Sequence, residues 1–280
     1  MPLLCYIVDI PKKTGETDML KSNLHTHSTY SDGKNTPEEI IQQAIKIGLT
    51  SIGFTEHADD VCSEEGLCMK KETYPEYFSL IDSLKEKYRG KINIYKGLEL
   101  DAFSYDPEIE LDYTIGSVHY IHKNDRYYSI DDTPELLKEA IEEIGGQKEF
   151  LISYFDTLLN FAKTSDYDIT GHFDLYTKFN EIEMIVDTDA SYYSDMTLNA
   201  LEEVVNLGKI IEINTGAISR GYRTEPYPQK FLLDRLIEMK APVIIESDSH
   251  SISTLTTHFK QLESIVDSLN ITFPSKVNEK

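Results

Sequence analysis

Asn23-Leu24-His25-Thr26-His27-Ser28-Thr29-Tyr30-Ser31-Asp32-Gly33 ends an apolar segment with two histidines two positions apart. Side chains at i and i+2 of a strand share a face, so His25 and His27 can reach one metal ion together. Working outward, other ligand-type residues recur at the ends of apolar segments: His57, Glu99, His119, His172, Asp248 and His250. The apolar, β-branched segments predict seven strands, at 20–25, 50–55, 91–98, 113–118, 167–171, 209–213 and 242–247. Amphipathic helical stretches separate them, which points to βα units around a parallel sheet. The helix signals agree. Thr36-Pro37-Glu38-Glu39 offers an N-cap, a proline at the first helical position and a capping-box glutamate, while Gly48, Gly90 and Gly208 mark helix ends.

The predicted class is therefore α/β. In a closed parallel barrel the C-terminal strand ends converge on one face, where active sites are built. Residues from His25 to His250 would then meet in one pocket. No linker interrupts the chain, so 1–280 is expected to be a single domain, with 1–19 as an N-terminal extension. The tyrosine-rich acidic stretch 173–194 reads either as a substrate loop or as a surface excursion.

Composition narrows the partners. Lys and Arg total 27 against 49 Asp and Glu, a formal net charge of −22. Such acidity disfavours nucleic-acid backbones and anionic membranes. The three cysteines, Cys5, Cys62 and Cys68, match neither a disulfide framework nor a structural zinc pair. With no secretion-type leader and no apolar run long enough to span a bilayer, a cytoplasmic location is expected.

His25, His27, Asp32, His57, Glu99, His119, His172, Asp248 and His250 are too many ligands for one tetrahedral ion. Two or three divalent transition-metal ions are implied, and imidazole with carboxylate suits zinc, iron or manganese. A bridging carboxylate such as Glu99 and a hydroxide shared between ions would support phosphate ester hydrolysis. No serine elbow, Walker loop or dinucleotide fingerprint competes with that chemistry. Asp101 rivals Glu99 from two positions away. Glu56 faces away from His57 and reads as structural, His258 as a helix-surface residue, and His122 as a substrate contact or a loop residue.

His25-Thr26-His27 with Ser31-Asp32-Gly33, Phe54-Thr55-Glu56-His57, Gly97-Leu98-Glu99, Ile115-Gly116-Ser117-Val118-His119-Tyr120, Gly171-His172-Phe173-Asp174 and Ser247-Asp248-Ser249-His250 together resemble the PHP superfamily. Gly116-Ser117-Val118-His119-Tyr120 and Glu212-Ile213-Asn214-Thr215 favour its histidinol-phosphatase branch. The resemblance implies a distorted (β/α)7 barrel and a trinuclear centre. His25, His27, Glu99 and Asp248 would hold the first ion. Glu99, His119 and His172 would hold the second, and His57, His250 and Asp32 the third. Many relatives carry histidine where Asp32 stands. Arg220, Arg223 and Lys178 would grip phosphate, while Asp248 and His250 would lie beside the leaving oxygen.

The implied reaction hydrolyses L-histidinol phosphate, a small phosphate ester, to L-histidinol and phosphate in histidine biosynthesis. Three alternatives stand beside it. They are a PHP phosphoesterase acting on a nucleotide or phosphotyrosine, an amidohydrolase-like C–N hydrolase, and a metal-binding protein without catalysis. Oligomeric state is left open.

Overall fold

The computed structural model describes residues 19–58, 61, 67–104 and 108–278. Cys5, Cys62 and nearly all of the expected N-terminal extension lie outside the described residues. Seven parallel strand positions occur where the sequence predicts them: β1 Ser22–Asn23, β2 Ser51–Phe54 continued by β3 His57–Ala58, β4 Asn93–Lys96 continued by β5 Glu99–Asp101, β6 Ile115–Ser117, then, after a β7 Tyr120–Lys123 and β8 Arg126–Ser129 hairpin, β9 Ile169–Thr170, β10 Ile210–Asn214 and β11 Pro242–Glu246. A short β12 Asn270–Ile271 is added at the edge. The helices are α1 Pro37–Ile47, α2 Tyr74–Lys87, α3 Pro134–Ile144, α4 Gln147–Thr164, α5 Tyr193–Asn206, α6 Gly216–Ser219, α7 Lys230–Met239, α8 Phe259–Val266 and α9 Ser275–Asn278.

The strand ladders form two parallel sheets rather than one continuous ring. One has the order β1-β2-β4; the other runs β12-β11-β10-β9-β6-β5-β3. Short breaks at Thr55-Glu56 and Gly97-Leu98 shift strands from the first sheet to the second. Backbone hydrogen bonds cross the breaks, from Gly97 N–H to Phe54 at 2.9 Å and from Glu99 N–H to Glu56 at 3.2 Å. On the far side, the chain beyond β1 meets the chain beyond β11. His27 N–H donates to Ser249 at 2.9 Å, Ser249 N–H donates to His25 at 3.1 Å, and the Asn23 side-chain amide donates to Ser247 Oγ at 2.7 Å.

Leu24, Tyr95, Ile115, Ile169, Ile210 and Ile244, one from each of six strand positions, bury together with Tyr113. Two larger apolar clusters fill the space between strands and helices. The capping box forms as predicted: Thr36 Oγ1 accepts from Glu39 N–H, Glu39 accepts from Thr36 N–H, and Gly48 closes α1 at φ 87°. The 173–194 stretch is packed inward at its start, with Phe173, Tyr176 and Phe179 buried, and turns outward at Ile182 and Met184, which are exposed, before Val186 is buried again. None of the helices among the described residues is long and apolar enough to cross a membrane.

Gly116, in the middle of β6, lies under the Tyr167 ring; a Cβ there would come within 2.5 Å of ring carbons. Gly116→Ala is therefore expected to destabilise the protein by about 1–3 kcal/mol through overpacking, read as a lower urea midpoint at unchanged m-value.

Candidate metal centre

The ligand-type residues predicted from the sequence meet at the C-terminal ends of the strands. Strand pairing does the placing. β3 and β5 are in register with His57 opposite Glu99, and the bridge between Thr26 and Ser249 aligns the His25-Thr26-His27 segment with Asp248 and His250. Glu99, fully buried, is the hub. Its Oε2 lies 2.9 Å from His57 Nδ1, 3.2 Å from His25 Nε2 and 3.6 Å from His27 Nε2. Its Oε1 lies 2.9 Å from His172 Nε2 and 3.5 Å from His119 Nε2, and accepts from Ser117 Oγ at 2.6 Å. Asp248 Oδ1 adds contacts of 3.3 Å to His27 and 3.5 Å to His250. Asp32 closes the outer side, 3.0 Å from His250 and 3.7 Å from His57.

All of these ligand-type residues except His172 fall into three overlapping groups that could each hold a metal ion. They are His25, His27 and Asp248; His57, Glu99 and His119; and His27, Asp32, His57 and His250. The division differs in detail from the one the resemblance implies. His27 also joins the outer group, and His57 joins Glu99 and His119.

Two observations show that the cluster fits divalent cations. Among the described residues, His25 Nε2, both His27 nitrogens and Glu99 Oε2 are buried with no hydrogen-bond partner. Buried polar atoms without partners are costly unless an ion satisfies them. The site's electrostatics also call for positive charge at its centre. Burial would lower His57 and His119, yet Glu99 and neighbouring carboxylates raise them to about 9 and about 10. Burial would raise Asp248, but Arg220 and His25 hold it well below the usual carboxylate range. His27 goes the other way, pushed down to about 3 by burial and by its neighbours His250 and His57. It is held in the neutral form that ligates metal.

A second set of residues orients the first. Glu212 Oε1 sits 2.5 Å from His25 Nδ1, which aims Nε2 at the cluster, and Glu212 Oε2 accepts from His172 N–H at 2.8 Å. Asp101, the sequence rival of Glu99, instead accepts from His119 N–H at 2.7 Å and faces His119 Nδ1 at 3.5 Å. Glu56 accepts from Ser28 and Ser31 hydroxyls at 2.5 Å each and from Tyr77 at 2.9 Å, tying down the loop that carries Asp32. Such carboxylate–histidine pairs fix the tautomer and ring orientation of metal ligands. The placement of Glu212 and Asp101 at strand ends was the sequence signal for them.

The cluster forms the floor of a cavity of about 220 Å³ whose walls include Tyr120, Asp131, Asp132, Leu175, Lys178 and Arg220. Arg220 donates to Asp248 Oδ2 at 2.9 Å and lies 3.1 Å from His250 Nδ1. Lys178 also reaches the cavity, with its ammonium 3.0 Å from Asp131 Oδ2. Burial would raise Asp131, but Lys178 and His119 hold it down at about 2.

Arg223, expected on phosphate, and His122, expected as a substrate contact or a loop residue, lie outside the lining of this cavity. The buried Arg223 guanidinium donates to Thr177 Oγ1 and to the Glu225 and Pro226 carbonyls, and it lies over the Tyr227 ring at 4.3 Å. It braces a loop instead of facing the cavity. His122 is exposed on the β7–β8 hairpin against Tyr127, with ring centroids 4.5 Å apart. Tyr120, at the start of β7, lines the cavity, whereas His122 lies further out along the hairpin. Asp131 had no strand-end signal because it precedes a helix, and it went unassigned.

Fold and site together define a parallel α/β protein built around a histidine–carboxylate metal-ligand cluster. The PHP domain model matches residues 23–216. The probable histidinol-phosphatase of Schizosaccharomyces pombe is 31% identical over 273 residues, covering 89% of this chain and 86% of that one. The histidinol-phosphatase of Bacillus subtilis is 27% identical, covering 83% and 94%. The crystal structure of histidinol phosphate phosphatase from Lactococcus lactis subsp. lactis, complexed with zinc, L-histidinol and phosphate, superposes with a TM-score of 0.68 at 22% identity, covering 90% and 94%. The chain belongs to the PHP family, in its histidinol-phosphatase branch.

Glu99→Ala is expected to lose bound metal, because one carboxylate serves several imidazole-lined positions; elemental analysis of purified protein should show at least one equivalent fewer than wild type. Metal binding at pH 7.5 should also release protons, since His57 and His119 start protonated and must become neutral to ligate. Calorimetry in buffers of different ionisation enthalpy reads this directly, and a binding enthalpy independent of buffer would contradict it.

Proposed function

We propose that this protein is a metal-dependent phosphomonoesterase that hydrolyses L-histidinol phosphate to L-histidinol and phosphate. The observation that carries the reading is the buried imidazole–carboxylate cluster beside Arg220, in a chain of the histidinol-phosphatase branch. The solved relative complexed with zinc, L-histidinol and phosphate supports the substrate. The bonds between the His25 and Ser249 segments support a distorted (β/α)7 barrel as the underlying architecture. The three overlapping ligand groups support three ions, with zinc, iron or manganese suited to the donors.

Bound divalent ions would supply Lewis-acid charge at phosphoryl oxygens and bring the pKa of a coordinated water near neutrality. His25, His27, Glu99 and Asp248 would hold one, Glu99 with His119 and His172 a second, and Asp32, His57 and His250 a third. The remaining work falls to the chain's own groups. Arg220, held by Asp248 and always cationic, presents a guanidinium at the cavity for the phosphoryl oxygens. Preorganisation by Asp248 means that little side-chain freedom is lost when the charge on phosphorus develops. His250 and Asp248, adjacent to Arg220, would stand beside the leaving oxygen. Glu212 and Asp101 hold His25 and His119 in place throughout. Lys178 and Leu175, from the 173–194 stretch, would form the substrate side of the cavity, and the biosynthetic role fits a cytoplasmic enzyme.

Phosphate release by metal-reconstituted protein from L-histidinol phosphate, nucleotides, sugar phosphates and phosphotyrosine tests this reading. A chelator-sensitive kcat/KM for L-histidinol phosphate at least about a hundredfold above the panel is expected, or about 2.7 kcal/mol of discrimination. Even activity across the panel would discard the substrate. No phosphate release from any member by metal-loaded protein would discard the phosphatase.

A further inference from the structure

Lys178, expected from the sequence to grip phosphate, is engaged with a carboxylate. Its ammonium donates to the Asp131 main-chain oxygen at 2.6 Å and to Asp131 Oδ2 at 3.0 Å. The two side chains are only 11% and 20% exposed, and both line the cavity above the ligand cluster. The ammonium also lies 5.2 Å from the Tyr222 ring centroid and 5.5 Å from that of Phe179. A lysine stem is long and flexible, so its head can change partners without moving the backbone.

This wall pair carries the same two charges as the substrate proposed above. L-Histidinol phosphate bears an ammonium on the second carbon from the ester oxygen and a dianionic phosphate at its end. We propose that the pair opens by exchange: the substrate ammonium replaces Lys178 on Asp131, and the released Lys178 ammonium turns to the phosphoryl oxygens. No covalent bond changes in this step. A zwitterion-like ligand leaves every charge paired. A phosphate ester without an ammonium either leaves Lys178 on Asp131, and so lacks one cation for its phosphate, or strips Asp131 of its partner in a cavity where an unpaired carboxylate is costly. Discrimination thus includes a penalty on wrong substrates as well as a contact to the right one. The inference rests on the histidinol-phosphate reading and adds Asp131 and Lys178 as a coupled specificity device.

Coupling between the two products tests it without turnover. Calorimetric titration of the metal-loaded full chain with inorganic phosphate, alone and with saturating L-histidinol, is expected to show phosphate binding at least about fivefold tighter when histidinol is present, with the reciprocal gain for histidinol. Lys178→Met should abolish the coupling and, because Asp131 loses its resident cation, tighten histidinol binding. Asp131→Asn should abolish the coupling and weaken histidinol binding, with metal content and far-UV circular dichroism confirming an intact fold. Independent or antagonistic binding in wild type would overturn the exchange, as would coupling that survives in Lys178→Met. Hydrolysis of histidinol phosphate without coupling removes the exchange alone, whereas absence of both hydrolysis and histidinol binding removes the functional reading with it.

Discussion

Everything in this molecule is arranged around one costly object, the Glu99 carboxylate, buried at the C-terminal end of β5 with five imidazoles within 4 Å of its two oxygens. A buried carboxylate requires compensating positive charge. Imidazoles can meet that need as protonated groups or, when neutral, by sharing divalent ions with the carboxylate. The competition between these two states decides whether the cluster holds metal or rests as a set of internal ion pairs. His27 differs from its neighbours because full burial, with the His250 and His57 rings stacked against it, holds it neutral, whereas His57 has Glu99 and Asp32 to raise it.

That arrangement depends on backbone registry. The breaks at Thr55-Glu56 and Gly97-Leu98 carry the strands outward just before His57 and Glu99, opening room at the top of the sheet while keeping hydrogen bonds across it. Below the break the interior is apolar, with Leu24, Tyr113 and the strand isoleucines in close contact. Above it the interior is polar and lined by ligands. The same short stretch of each strand therefore contributes to the core with its lower residues and to the site with its upper ones. Glu212, Asp101 and Glu56 mediate between the two layers: each is a buried carboxylate whose acceptors are filled by a ligand ring, a ligand backbone N–H or the loop that bears Asp32.

The cavity wall follows a different logic. Its cations are paired in advance, Arg220 to Asp248 and Lys178 to Asp131, so a strongly acidic protein can offer positive charge to an anion without exposing it. Pairing also sets how each cation can respond. Arg220 is braced by a metal ligand and stays in place, while Lys178 is tied to a residue outside the ligand cluster and is positioned to exchange.

Much of this was legible in the chain itself. The seven parallel strand positions, the capping box of α1 and the nine ligand-type residues follow from local pattern, because strand alternation and helix capping are short-range and because imidazoles two apart on one strand share a face wherever that strand lies. The set of candidate ligands was therefore determined by the sequence. Which atoms they share, and what the long cations touch, was decided only by the tertiary structure. His27 joining both the inner and outer groups depends on how β1 sits against β11, and the split of the ladder into two sheets depends on the strand breaks. The opposite fates of Arg220 and Arg223, three residues apart, depend on Asp248 and on Thr177, residues distant from them in the chain. A flexible side chain with a charged head takes its position from whichever partner the fold brings within reach, and no local pattern encodes that partner.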